Sequence, residues 1–107
     1  MDRIEKNFKY FLDKYGDIYE AYENYGQKVH NDGGPLDEKT RWLVKAAISA
    51  ACKHHYSVRT HIRKALKCGC TRDEIEHALM LVAPTAGFPA FMEALMCLRE
   101  ELDENAL

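Results

Sequence analysis

The sequence predicts an all-α protein, and three features predict it. Apolar residues recur at i, i+3 and i+4 through most of the chain, no stretch alternates apolar and polar residues for more than a few positions, and capping residues stand where several periodic runs begin. A half-buried strand needs the alternation that is missing here.

Through the N-terminal third, residues 2–30, Phe8, Phe11, Leu12, Tyr15, Ile18, Tyr19, Tyr22 and Val29 continue one apolar stripe. Gly16 interrupts it, so this region is one long helix or two short ones. Asn31-Asp32-Gly33-Gly34-Pro35 cannot readily stay helical, because glycine adds backbone freedom and proline lacks a donor. It is the clearest linker. Asp37 is an N-cap for a helix carrying Leu43, Val44, Ala46, Ala47, Ile48, Ala50 and Ala51, apolar on nearly every side and therefore expected to be buried on nearly every side.

The pattern changes phase at Lys53, and a further helix is expected over about 54–67, stopped by Gly69. Val58, Ile62, Ala65 and Leu66 share one stripe of it, with Tyr56, Arg59, Arg63 and Lys67 opposite; His54, Ser57, His61 and Cys68 lie on the border. Arg59, Arg63, Lys64 and Lys67 read as a solvated face. Thr71 and Glu74 form a capping box before Ile75, Ala78, Leu79, Met80, Leu81 and Val82, and Pro84 and Gly87 interrupt that run. The final helix carries Phe88, Phe91, Met92, Leu95 and Leu98 on one stripe and Ala90, Ala94 and Cys97 on another, which calls for two packing partners, one of them a second subunit. Glu100, Glu101, Leu102, Asp103, Glu104 and Asn105 read as a frayed acidic tail.

At 107 residues the chain is read as a single domain, small enough that oligomerisation would relieve its shortage of buried surface. Its net charge of −2 offers no field for nucleic acid or anionic lipid, so neither is an expected partner. No apolar run has the length of a secretory signal core or a membrane span. A cytoplasmic protein is expected, with Cys52, Cys68, Cys70 and Cys97 kept reduced.

The run from Gly34 to about Arg99 resembles the carboxymuconolactone decarboxylase family of the alkylhydroperoxidase D-like superfamily. The Gly-Pro-Leu-Asp opening of the alanine-rich helix carries the match, as do His61-x-x-x-Ala65-Leu66-x-x-Gly69-x-Thr71-x-x-Glu74-Ile75 and the turn Ala86-Gly87-Phe88-Pro89-Ala90. The resemblance implies an antiparallel helical bundle of about five to six helices, assembled as a homo-oligomer, a trimer or a hexamer, with its site near subunit boundaries. It also implies one of two activities: cofactor-independent decarboxylation, or thiol-based peroxide reduction. The peroxidase branch places cysteines seven and four residues before the matching histidine. Here those positions hold His54 and Ser57, and the glutamate of that branch's proton relay falls at Trp42.

By elimination the pattern is closer to the decarboxylase branch, with His61 as acid or base on a small carboxylate or lactone substrate and with His54 and Ser57 beside it. An antioxidant peroxidase using a non-standard cysteine and a non-catalytic oligomeric binding protein remain the alternatives. Neither a cofactor nor a metal is expected. His54 and His61 lie about 10 Å apart along one helix, at 1.5 Å per residue, too far to share an ion. His30, His55 and His77 are scattered, without metal-ligand spacing. Cys68-Gly69-Cys70 could close a strained disulfide, yet it follows a helix C-terminus, whose partial negative charge opposes thiolate formation. Cys52 reads as the extension of a buried alanine face, or as a thiol brought near His55 if the helix continues.

Overall fold

A computed structural model describes residues 1–102, and every element found among them is helical. The elements are α1 (Arg3–Asp32), α2 (Glu38–Ala51), α3 (His55–Lys67), α4 (Arg72–Met80), α5 (Val82–Ala86) and α6 (Phe88–Leu102). They fall into two compact units, Met1–Pro35 and the chain from Leu36 onward.

The first unit is α1 alone. Asp2 and Glu5 close a reciprocal capping box at its start. Tyr15 then leaves helical geometry, at φ −131° and ψ 36°, and divides the helix into two limbs. The bend is sharp enough that the Phe8 and Tyr19 rings meet edge-on at 5.1 Å. Eleven residues of straight helix would separate their backbones by about 16 Å. Two short limbs are therefore the better description, with the break one residue before the glycine that marks it in the sequence. None of the α1 residues is buried.

The second unit has a conventional core. Ala46 and Ala50 of α2, Val58, Ile62 and Ala65 of α3, Ile75 and Leu79 of α4, and Ala90, Ala94 and Leu98 of α6 are all buried. The small residues of α2 and α6 let the neighbouring helices approach closely, while Ile62, Ile75, Leu79 and Leu98 fill the space between. Asp37 caps α2 through the Thr40 amide at 2.8 Å, and the Thr71–Glu74 capping box starts α4 as the sequence indicates.

One backbone motif ends both α2 and α3. At the end of α3, Cys70 N–H reaches back to the Ala65 carbonyl and Gly69 N–H to that of Leu66, with Gly69 at φ +100°. At the end of α2, His54 N–H bonds the Ser49 carbonyl and Lys53 N–H that of Ala50, with Lys53 at φ +60°. The left-handed residue turns the chain out of the helix at once, which is why the phase changes at Lys53. Thus α2 does not run on to bring Cys52 beside His55.

Four expectations are corrected. Cys52, read as part of a buried alanine face, is exposed, because it lies in this turn rather than in the helix. Pro84 does not stop a helix. It sits in the first turn of α5, where its missing N–H would bond nothing, and Gly87 at φ +119° makes the break. Glu100, Glu101 and Leu102 belong to α6, not to a frayed tail, whereas Asp103, Glu104 and Asn105 lie outside the described residues. The reason also corrects the solvated basic face: Arg59 pairs with Glu100 and Glu101, and Arg63 binds Glu101 at 3.1 and 3.2 Å, tying α3 to the end of α6.

Burial of α2 on nearly every side is met only in part. The face opposite the core carries Val44 and Ile48, which are 42% and 58% exposed. On α6 the small stripe faces the core together with Leu98, Phe91 and Leu95 of the large one, whereas Phe88 and Met92 point outward. Among the described residues no helix is long and apolar enough to cross a membrane.

Candidate functional site

The site is built where α3 crosses α2. His61 is half-buried on α3, held there because Val58, Ile62 and Ala65 drive that helix into the core and turn the flanking position toward α2. Its Nδ1 lies 3.1 Å from the Lys45 carbonyl oxygen and 3.2 Å from Ser49 Oγ. The Ser49 hydroxyl donates to the Ala46 carbonyl at 3.0 Å, so its oxygen faces the ring as an acceptor. Two acceptors at one ring nitrogen require a proton there. The network therefore assigns Nδ1–H as donor, so that in the neutral ring Nε2 carries the lone pair.

The Trp42 indole lies against the imidazole, ring centroids 5.9 Å apart, and Lys45 Nζ sits 4.8 Å from the centre of the indole. Trp42, Lys45 and Ser49 follow i, i+3, i+7 spacing, which puts them on one face of α2. An imidazole of fixed tautomer, an aromatic wall and an ammonium group thus converge.

The structure places the other two sequence candidates at the start of α3. His54 is the residue before the helix and is exposed, its backbone N–H bonded to Ser49 and its side chain capping nothing. Ser57 is half-buried one turn before His61. The groups that hold His61 come instead from α2. Sequence reasoning missed Lys45 and Ser49 as partners, although a signal was present: they are the only polar interruptions in the run from Trp42 to Ala51.

Two of the thiols, Cys68 and Cys70, are neighbours after α3. Cys70 is buried, its Sγ 3.7 Å from the Lys39 carbonyl, and burial followed by the adjacent Cys68 pushes its pKa up to about 11. Burial likewise raises the pKa of Cys97, against the opposing pull of Arg59. Cys68 half-buries its thiol against the Ala65 carbonyl at 3.3 Å. Only Cys52 is open to solvent, and it stands at the α2 terminus. Among the described residues no group of three or more histidines, cysteines and carboxylates is placed to hold a metal ion.

The sequence profile of the Carboxymuconolactone decarboxylase family matches residues 16–100, which include the second limb of α1 and the whole His61 site. The chain belongs to this family. Two relatives come from Methanocaldococcus jannaschii. The uncharacterized protein MJ1511 is 32% identical over 84 residues, covering 78% of each chain, and the uncharacterized protein MJ0742 is 30% identical over 96 residues, covering 89% of this chain and 91% of its own. The family match begins at Gly16, just past the bend at Tyr15 and well before the Gly34 at which the sequence motifs begin.

An open groove of about 400 Å³ lies on the other flank of α2, between it and α4, and is walled by Leu43, Val44, Ala47, Ala78 and Leu81. Its walls are mainly apolar, and His61 is not among them.

Proposed function

We propose that this family member is a cofactor-independent acid–base enzyme acting on a small carboxylate or lactone, working as a homo-oligomer, with His61 as the proton-transfer group. The observation that carries this reading is the hydrogen bond from Nδ1 to the Lys45 carbonyl, reinforced by Ser49, which commits the Nε2 lone pair to the other side of the ring. A backbone carbonyl behind an imidazole orients it and supports the cation that forms when Nε2 takes a proton.

In a decarboxylation the carbon–carboxylate bond breaks, carbon dioxide leaves, and the electron pair remains on the substrate. Protonated His61 then delivers a proton to that carbon and returns to the neutral form. Lys45 beside Trp42 supplies positive charge for a carboxylate or for the developing enolate, and the indole supplies a flat wall for a planar substrate. His54 and Ser57 line the approach from the start of α3. Peroxide reduction is less well supported, since burial holds the Cys70 and Cys97 thiols neutral.

The test is a screen of small lactones and carboxylates for carbon dioxide release or double-bond migration, followed by His61→Ala and His61→Gln on any substrate found. Both variants should lose at least about a hundredfold in kcat, the usual scale of acid–base assistance. Normal turnover by His61→Ala would sink the assignment. Peroxide consumption dependent on Cys52 would move the function to the thiol branch.

A further inference from the structure

Among the side chains that the proposed reaction leaves unused, two thiols are brought together by a turn of the backbone. Cys68 is the residue after α3, Gly69 turns the chain at φ +100°, and Cys70 N–H reaches back to the Ala65 carbonyl at 2.9 Å. The Cys68 thiol lies 3.3 Å from that same carbonyl oxygen. Both residues are thereby gathered over the last turn of α3, with their thiols close enough to interact. Cys70 forms the inner side of the pair, 5% exposed, its Sγ 3.7 Å from the Lys39 carbonyl of α2. Cys68 is only half-buried and leaves the pair open to solvent.

We propose that Cys68 and Cys70 form a binding site for a soft monovalent metal ion, copper(I), held by the two sulfurs. Ligand number and ligand type select the ion. Among the described residues no third histidine, cysteine or carboxylate joins the pair to hold a metal, so it offers two donors, half the shell that zinc requires. Calcium and magnesium take oxygen ligands and are excluded by the sulfur. Copper(I) is selected by soft thiolates and is satisfied by two of them.

The position in the fold agrees. The exposed carbonyls at the end of α3 carry partial negative charge, which opposes a bare thiolate but stabilises a cation. A place that makes the pair a poor nucleophile therefore suits it to a metal. On binding, two S–H bonds break, two S–Cu bonds form and both protons pass to water, with no change in the oxidation state of sulfur or copper. The complex carries one net negative charge, and the Lys39 ammonium, which pairs with Glu74 at 3.6 Å, stands nearby to offset it. Nothing in this site depends on His61 or on the reaction proposed for it.

The test uses the full chain in a Cys52→Ser background, which removes the exposed thiol that could take up ions by itself. Under anaerobic conditions copper(I) is titrated against the chromogenic chelator bicinchoninate. The chain should withhold one ion per copy, and X-ray absorption at the copper edge should show two sulfur neighbours. Cys68→Ser and Cys70→Ser should each abolish this binding, whereas Cys97→Ala should retain it, and added zinc should not displace the copper. Because Cys70 is buried, Cys68→Ser is the deciding variant, with thermal melting followed by Trp42 fluorescence to establish that it folds. Undiminished binding by folded Cys68→Ser, half an ion per copy, or a chain that withholds no copper from the chelator would each overturn the site.

Discussion

Replacing Lys53 by glycine should stabilise the second unit. Lys53 holds φ +60° in the turn that closes α2, and it is exposed, so the substitution removes no packing. A left-handed conformation costs a residue with a Cβ about 1–2 kcal/mol, and glycine escapes that cost. Against this stands the greater freedom of glycine in the unfolded chain, roughly 0.5–1 kcal/mol. The expected net gain is about 0.5–1 kcal/mol, or about 2–8 °C in Tm for a unit of this size. Trp42 is the sole tryptophan and lies on α2, so its fluorescence reports this unit without contribution from α1. The companion change has the opposite sign. Gly69 occupies the equivalent position at φ +100°, and a Cβ there would meet nothing within 4 Å, so Gly69→Ala loses stability through the backbone alone, by about 0.5–1 kcal/mol after the same unfolded-chain offset. Melting of Lys53→Gly at or below the wild-type temperature would refute the reasoning, since it would mean that the Lys53 side chain contributes more than its strained backbone costs.

Two further outcomes follow from the electrostatics. The hydrogen bond from Arg63, assisted by Arg59, holds the Glu101 carboxyl below its ordinary pKa in the folded state. Its contribution is therefore present above the unfolded-state pKa and lost as pH falls through the folded one; Glu101→Gln should melt lower than wild type at pH 7, with the difference closing in acid. Arg63 is 53% exposed, so the gap should stay below about 1 kcal/mol, and a gap that widened on acidification would contradict the sign. For the thiols, an aromatic disulfide reagent at pH 7 should show one fast phase, from exposed Cys52, while Cys70 and Cys97 react on unfolding. Persistence of that phase in Cys52→Ser would place a reactive thiol elsewhere.

The sequence was legible wherever one residue type has one structural meaning. Gly69 ended α3 and the Thr71–Glu74 pair began α4, because few other residues serve those positions. The end of α2 uses the same hydrogen bonds as the end of α3 but puts a lysine where glycine is expected, so the stop could be read only as a change of phase. The bend at Tyr15 was visible only as the neighbouring Gly16. Ion pairs were less legible still. Arg59 and Arg63 look solvated on their own helix, and nothing local shows that Glu100 and Glu101 arrive beside them from about forty residues away. His61 could be singled out by family resemblance. Its acceptors could not, because the Lys45 carbonyl is backbone and carries no signature in residue identity.

The composition of the site bears on the chemistry proposed for it. The peroxidase branch needs two thiols and a carboxylate around its histidine, and this chain has His54, Ser57 and Trp42 at those places. Trp42 does more than replace the carboxylate. Lying on the imidazole and under the Lys45 ammonium, it turns a polar relay into a wall. In the proposed reaction that wall sits beside the imidazole that carries the proton, with the ammonium as positive charge. A cation there favours a carboxylate or enolate over a neutral peroxide. Trp42→Glu would be the sharpest single reversal, because it removes the wall and restores the relay carboxylate while leaving both α2 acceptors of His61 in place. Carboxylate or lactone turnover should fall with it. If turnover were unchanged, Trp42 would be a packing residue and the case for an anionic planar substrate would rest on Lys45 alone.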